Sequence, residues 1–209
     1  MGDGRCRGCH EFEPDFDRAV SFGEYAGALR GVIHLLKYDN VLPAAPVLGE
    51  KLAEAIAQLR LASDETPLLV PVPLHKTKRR ERGFNQAERI ARAAVKRLPQ
   101  HVEVASVLKR QRHTRSQVGL TREERIANLR DAFRVFAPGR VKGRTVIVAD
   151  DVMTTGTTVS ECARVLKKAG AERVWAATVA RTLKGAASPQ AVESEPREVV
   201  EAAMTAASV

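Results

Sequence analysis

Little in this chain is aromatic, sulfur-bearing or long and apolar. Aromatic residues are 4% of 209, cysteines number three, and no run approaches the roughly 20 apolar residues that a bilayer span needs. No membrane span is therefore expected. Cys6, Cys9 and Cys162 build no disulfide framework, and Met1-Gly2-Asp3-Gly4-Arg5 lacks the apolar stretch of an export signal, so a cytoplasmic location is expected. No internal repeat is present. No nucleophile stands in a pattern with a base, which sets aside covalent catalysis. The C-x-x-C pair Cys6 and Cys9 could grip one side of a tetrahedral zinc with His10 as a third ligand; two unpaired thiols are the alternative reading.

What the chain does have is positive charge, unevenly spread. The net charge of +9 includes a tail from Ala186 to Val209 that sums to −3, while sixteen Lys and Arg face five Glu between Lys76 and Arg130. Such a basic stretch attracts phosphate, on a metabolite or on nucleic acid, and charge alone does not choose. A hydrophobic share of 44% supports a real core for one domain over residues 16–185. Residues 1–15 read as a lead-in, and the Ala, Ser, Pro and Glu composition of 186–209 reads as a disordered acidic tail.

The most informative stretch runs from Val146 to Thr158. Val146-Ile147-Val148-Ala149 is a short, mostly β-branched run that reads as a buried parallel strand. Asp150 and Asp151 follow at its carboxyl end, then the turn Thr154-Thr155-Gly156-Thr157-Thr158. Val159, Cys162, Ala163 and Leu166 recur at helical spacing, and Gly170 marks the helix stop. Gly156 lets backbone approach a ligand, amides at a helix N-terminus favour an anion, and the threonine hydroxyls can donate to phosphate oxygens. Ionised carboxylates only accept, so Asp150 and Asp151 suit sugar hydroxyls or the water shell of a metal. A phosphate cradle beside a diol-binding acidic pair describes a phosphorylated ribose. No Gly-Lys-Ser/Thr follows the turn, so a Walker A site is set aside.

Elsewhere, a strand is expected around Arg18–Phe22. Leu29, Val32, Ile33 and Leu36 mark a helix face weakened by Gly27 and Gly31, with Leu36–Asn40 as a loop after it. A helix follows over Ala45–Leu61, and Leu68–Leu74 reads as a strand ended by prolines. His75–Gln86 carries five basic residues before the first apolar one, so an exposed mobile loop is expected: either a solvated charge run or a phosphate-seeking lid hinged at Gly83. Gln86–Leu98 is helical, Val102, Val104 and Val107 belong to a strand, and His113–Leu120 is a basic loop. Thr121-Arg122-Glu123-Glu124 has the form of a capping box opening a helix to Leu129, and strands follow at Phe133–Phe136 and Val174–Val179.

Ala149–Thr158 closely resembles the signature of the type I phosphoribosyltransferases. Leu36-Lys37-Tyr38, Val70-Pro71-Val72-Pro73, Lys78–Ala87, Thr114-Arg115-Ser116-Gln117, Arg125-Ile126-Ala127-Asn128 and Phe133 extend the likeness to the ComF (competence protein F) family, with Arg82-Gly83-Phe84-Asn85-Gln86 as its most specific piece. The resemblance implies an α/β type I phosphoribosyltransferase fold, a parallel sheet flanked by helices. It implies phosphoribosyl pyrophosphate as ligand, with Thr154, Thr155, Gly156, Thr157 and Thr158 on the 5′-phosphate and Asp150 and Asp151 on the ribose hydroxyls. Val72, Pro73, Leu74 and His75, with Lys37, would meet pyrophosphate and its Mg2+; Arg79, Arg80, Arg82, Gly83 and Asn85 would close over it. Members of the family begin with two C-x-x-C pairs that hold zinc. Only Cys6 and Cys9 are present here, so either the start is truncated or the finger has decayed to a remnant, and no bound zinc is expected in this chain.

Two functions compete on this reading. One is transfer of phosphoribosyl to an acceptor that the sequence does not name. The other is a non-catalytic competence factor for single-stranded DNA, or a nucleotide sensor, with DNA-uptake proteins as partners. Phe84 is the one aromatic residue between Lys76 and Arg130, which argues against a base-stacking platform in that stretch.

Overall fold

Short apolar runs and longer amphipathic runs alternate along the chain and fold as strands and helices in turn. In the computed structural model, residues 13–62, 66–99, 101–112 and 121–183 are described. β1 (Arg18–Glu24) leads into α1 (Gly27–Tyr38) and α2 (Ala44–Ala57). β2 (Leu68–Pro71), α3 (Lys76–Arg82) and α4 (Gln86–Ala94) follow. Then come β3 (Glu103–Val104), β4 (Leu108–Arg110), α5 (Arg122–Leu129) and β5 (Phe133–Val135). β6 (Thr145–Met153), α6 (Thr157–Lys168) and β7 (Arg173–Arg181) complete the order.

Five strands form one parallel sheet in the order β1-β7-β6-β2-β3, and β4 and β5 pair antiparallel beside it. Because strand side chains alternate, the sheet has two buried faces. Ile147 and Ala149 of β6 pack with Leu36, Leu48, Leu52, Ile56 and Ile90 of α1, α2 and α4. Val146 and Val148 pack on the other face with Val159, Cys162, Ala163 and Leu166 of α6. Val146 through Ala149 are all fully buried, which is why the run reads continuously apolar.

Most expected elements are present with shifted ends. The expected helices over Ala45–Leu61 and Gln86–Leu98 stop at Ala57 and Ala94, and the strand from Leu68 stops at Pro71. The strand expected over Val102–Val107 divides into the two-residue β3 and, after Val107, the start of the β4–β5 pair. The Thr121 capping box forms on both sides: Glu124 N donates to Thr121 Oγ1 at 3.2 Å, and Thr121 N donates to Glu124 Oε2 at 2.7 Å. Gly170 adopts φ 93 beyond α6, as a helix stop should.

Two expectations are corrected. Lys76–Arg82 is a helix rather than a loop. His75 caps it, Gly83 ends it in the left-handed conformation at φ 79, and Lys, Arg and Glu are good helix formers that need no burial to stay helical. Lys37 and Tyr38 also sit in the last turn of α1 rather than in a loop. The expected lead-in through Cys6 and Cys9, the loop His113–Leu120 and the tail from Ala186 lie outside the described residues.

Glycines separate two kinds of constraint. A Cβ on Gly49 would lie 2.4 Å from Ala93 Cβ, so α2 and α4 touch at backbone distance, whereas a Cβ on Gly31 in α1 meets nothing within 4 Å. Gly49→Ala should therefore destabilise the protein by about 1–3 kcal/mol as the helices are forced apart. Gly31→Ala should stabilise it by about 0.5–1 kcal/mol through helix propensity. Urea unfolding monitored by circular dichroism measures both; equal signs would contradict the packing.

Candidate functional site

The carboxyl ends of β2, β6 and β7 gather the polar groups. β6 runs on through both carboxylates to Met153, so Asp150 and Asp151 are strand residues in register with β7, with Asp150 opposite Thr178. Adjacent strand residues face opposite sides, and the two acids meet different neighbours. Asp151 points to the α1 side, where Lys37 Nζ lies 2.7 Å from its Oδ1. Its Oδ2 is buried with no hydrogen-bond partner, and the residue is 4% exposed. An unpaired buried acceptor of this kind costs about 1–3 kcal/mol. Asp150 accepts from the Asp151 backbone N–H through Oδ1 at 2.9 Å and carries the charges of Lys37 and Arg110 nearby.

These environments set the protonation. Burial first, and the Asp151 charge second, push the Asp150 carboxyl up to about 7, although part of its surface still meets solvent. Burial pulls the Lys37 ammonium down, but the Asp151 charge and hydrogen bond outweigh it and leave Lys37 above its ordinary value. Burial pushes the Cys162 thiol well up, with the Asp150 charge adding to it. Arg110, on β4, is lowered by burial and stacks over Phe133 at 5.4 Å. Nothing in its basic sequence surroundings singles Arg110 out; only the pairing of β4 with β5 brings it near Asp150.

Beyond the pair, the chain turns at Thr154–Gly156 and starts α6. Gly156 has φ 76, and a Cβ there would make only ordinary contacts from 3.7 Å outward, so backbone conformation rather than crowding requires glycine. Thr155 Oγ1 and Thr157 Oγ1 are 2.8 Å apart. The first turn of α6 has no acidic side chain and no side-chain cap, so this helix end suits an anion. Thr157 is buried, Thr155 and Thr158 are half-buried, and Thr154 is exposed.

The turn after β2 adjoins this loop, since Val72 N donates to Ala149 O at 2.9 Å. Pro73 and Leu74 are half-buried, and His75 is buried with Nδ1 accepting from Thr77 N at 3.4 Å. Asn85 is buried and fixed: its Nδ2 donates to Val72 O at 3.0 Å and its Oδ1 accepts from Ala87 N at 3.1 Å. Asn85 thus ties α4 to the turn. Arg79 and Arg80 are exposed on α3, whereas Arg82 Nη1 donates to Gln86 Oε1 at 2.6 Å. A hollow of about 250 Å³ between α1 and α3 is lined by Lys37, Tyr38, Asn40, Lys78, Glu81 and Arg82. A larger one, about 300 Å³, lies apart from these residues between β5 and α6. Among the described residues no helix is long and apolar enough to cross a membrane.

Two changes test the electrostatics. A native carboxyl raised above its unfolded value contributes stability that is complete below the unfolded pKa and is lost as pH rises through about 7. Asp150→Asn should therefore be more stable than the parent at pH 8 by about 1–3 kcal/mol and nearly equal to it at pH 4, in denaturant titrations at both pH values. Lys37→Met strands the Asp151 charge and should cost about 3–5 kcal/mol, while Lys37→Met with Asp151→Leu should recover most of that loss.

A family model described as the phosphoribosyl transferase domain matches residues 46–205. Competence protein F of Haemophilus influenzae is 31% identical over 176 residues, which are 81% of this chain and 75% of that protein. DNA utilization protein YhgH of Escherichia coli is 34% identical over 180 residues, 85% of this chain and 78% of that protein. A crystal structure of a hypoxanthine phosphoribosyltransferase from Staphylococcus aureus aligns with 71% of this chain and 69% of that chain, at 12% identity and a TM-score of 0.44. The parallel sheet flanked by helices is the type I phosphoribosyltransferase fold. The chain belongs to the phosphoribosyl transferase domain family, as a relative of competence protein F.

Proposed function

We propose that the protein binds phosphoribosyl pyrophosphate with Mg2+ and transfers its phosphoribosyl group to an acceptor, in the service of DNA utilization. The observation that carries this reading is the union, on one strand end, of two carboxylates with an anion-ready turn: Asp150 and Asp151, then Gly156 at φ 76 opening α6. The amides and threonine hydroxyls from Thr154 to Thr158 suit the 5′-phosphate. Asp151 Oδ2, buried without a protein partner, suits a ribose hydroxyl, which can donate to it. Lys37 holds Asp151 rather than standing free for pyrophosphate, so the turn Val72–His75 and the exposed cations Arg79 and Arg80 take that part.

Among the described residues no three His, Cys, Asp or Glu side chains converge as a metal group. Hard carboxylate oxygens nevertheless fit Mg2+, an ion that keeps water and substrate oxygens as most of its ligands. Asp150 and Asp151 are the residues that would hold it through the ribose hydroxyls, and it would supply positive charge to the pyrophosphate. In the transfer itself, an acceptor lone pair forms the bond to the anomeric carbon with inversion. The carbon–oxygen bond to pyrophosphate breaks, and its electron pair leaves with pyrophosphate. Arg79 and Arg80 stabilise that charge as it develops.

Isothermal titration with phosphoribosyl pyrophosphate and Mg2+ tests the reading. The parent protein should bind, and Asp150→Asn with Asp151→Asn should weaken binding by about tenfold or more, the loss of one or two charge-assisted hydrogen bonds. Absence of binding by the parent, or undiminished affinity in the double variant, rules it out.

A further inference from the structure

Both tyrosines of the chain lie in one line with a histidine and an arginine. Tyr25 stacks on His34 with ring centroids 6.4 Å apart, and its Oη is 3.0 Å from His34 Nε2. His34 sits one helical turn before Tyr38 on α1, with centroids 5.1 Å apart. Arg82 of α3 ends the line, its Cζ 5.7 Å from the Tyr38 ring and its Nη1 held by Gln86. Burial, then the charges of Arg30 and Lys37, pushes the His34 imidazole down, which favours the neutral ring. Tyr38 is nevertheless 66% exposed, more than any other large hydrophobic side chain among the described residues.

A ring braced by its neighbours yet open to solvent is preorganised, so a second ring can stack on it with little loss of side-chain freedom. Tyr38 and Arg82 are also walls of the 250 Å³ hollow. Lys78 and Arg82 bring positive charge to it, and Asn40 and Glu81 bring a donor–acceptor amide and an acceptor. The combination is a stacking face, cations for a phosphate, and polar groups able to read the edge of a heterocycle. A volume near the lower end of ligand-site sizes fits one such unit and no duplex.

We propose that this hollow between α1 and α3 is a stacking site for one nucleotide unit, with the base on Tyr38 and the phosphate on Lys78 and Arg82. None of Thr154–Thr158 lines it, although Lys37 joins it to Asp151, and the proposal does not depend on phosphoribosyl transfer. A free nucleotide and one residue of a single strand offer the same chemistry to it. The sequence conceals the site because Tyr38 and Arg82 stand 44 positions apart and meet only when α3 packs beside the end of α1.

Quenching of 2-aminopurine fluorescence on stacking provides the test. The protein is titrated into 2-aminopurine riboside 5′-monophosphate and, separately, into a single-stranded oligodeoxynucleotide with one internal 2-aminopurine. Quenching should appear with one or both probes, weaken about tenfold or more in Tyr38→Ala, and persist in Tyr38→Phe, as base–aromatic stacking requires. Quenching with the mononucleotide supports a free-nucleotide ligand, and quenching with the strand alone supports a nucleic-acid source. Phosphoribosyl pyrophosphate titrations of Tyr38→Ala should match the parent, which separates this site from the ribose site. No quenching with either probe, or equal quenching by Tyr38→Ala and the parent, overturns the proposal.

Discussion

The buried pairing of Lys37 with Asp151 is the constraint on which the rest of the site depends. Asp151 ends the α1-side row of β6, directly after Ile147 and Ala149, where the core gives way to polar groups. A charge with 4% exposure is tolerable only with a partner, and the partner comes from the last turn of α1. The pair therefore fixes where α1 ends relative to the central strand. That position carries Tyr38 to the side of α3, and it leaves one oxygen of Asp151 unsatisfied within the protein. A folded state that keeps such an oxygen tolerates a cost that a hydroxyl-bearing ligand would remove.

Asp150, next in the chain, has a different life. It faces the α6 side with Arg110 and Cys162 as electrostatic neighbours, and burial and the Asp151 charge raise its carboxyl to about 7. Two identical side chains one residue apart thus meet different neighbours because the strand period sends them into different surroundings.

Positive charge is used in more than one way. On α3, Arg79 and Arg80 stay exposed, while Arg82 is anchored by Gln86 and Tyr38. Lys37 neutralises a buried acid, and the half-buried Arg110 stacks over Phe133. The surplus of +9 is accordingly a mixture of structural cations and a basic outer face.

By itself the sequence determined the parallel core and the donor loop. Four β-branched or small apolar residues before two acids leave no other place for Val146–Ala149 than a buried strand, and Gly156 before a helical period marks the turn. Both signals are local, so they survive without knowledge of distant contacts. The charge run at Lys76–Arg82 reads as a loop because nothing in it is apolar, whereas a His75 cap and the left-handed Gly83 suffice for a surface helix. Lys37 was legible as a site residue but not in its partner, and Arg110 and the Tyr25–His34–Tyr38–Arg82 line were not legible at all. Those depend on where α1, α3 and the β4–β5 pair come to rest against the sheet. Only tertiary packing decides that, because the hydrophobic burial that drives it is non-directional and carries no residue-to-residue address in the sequence.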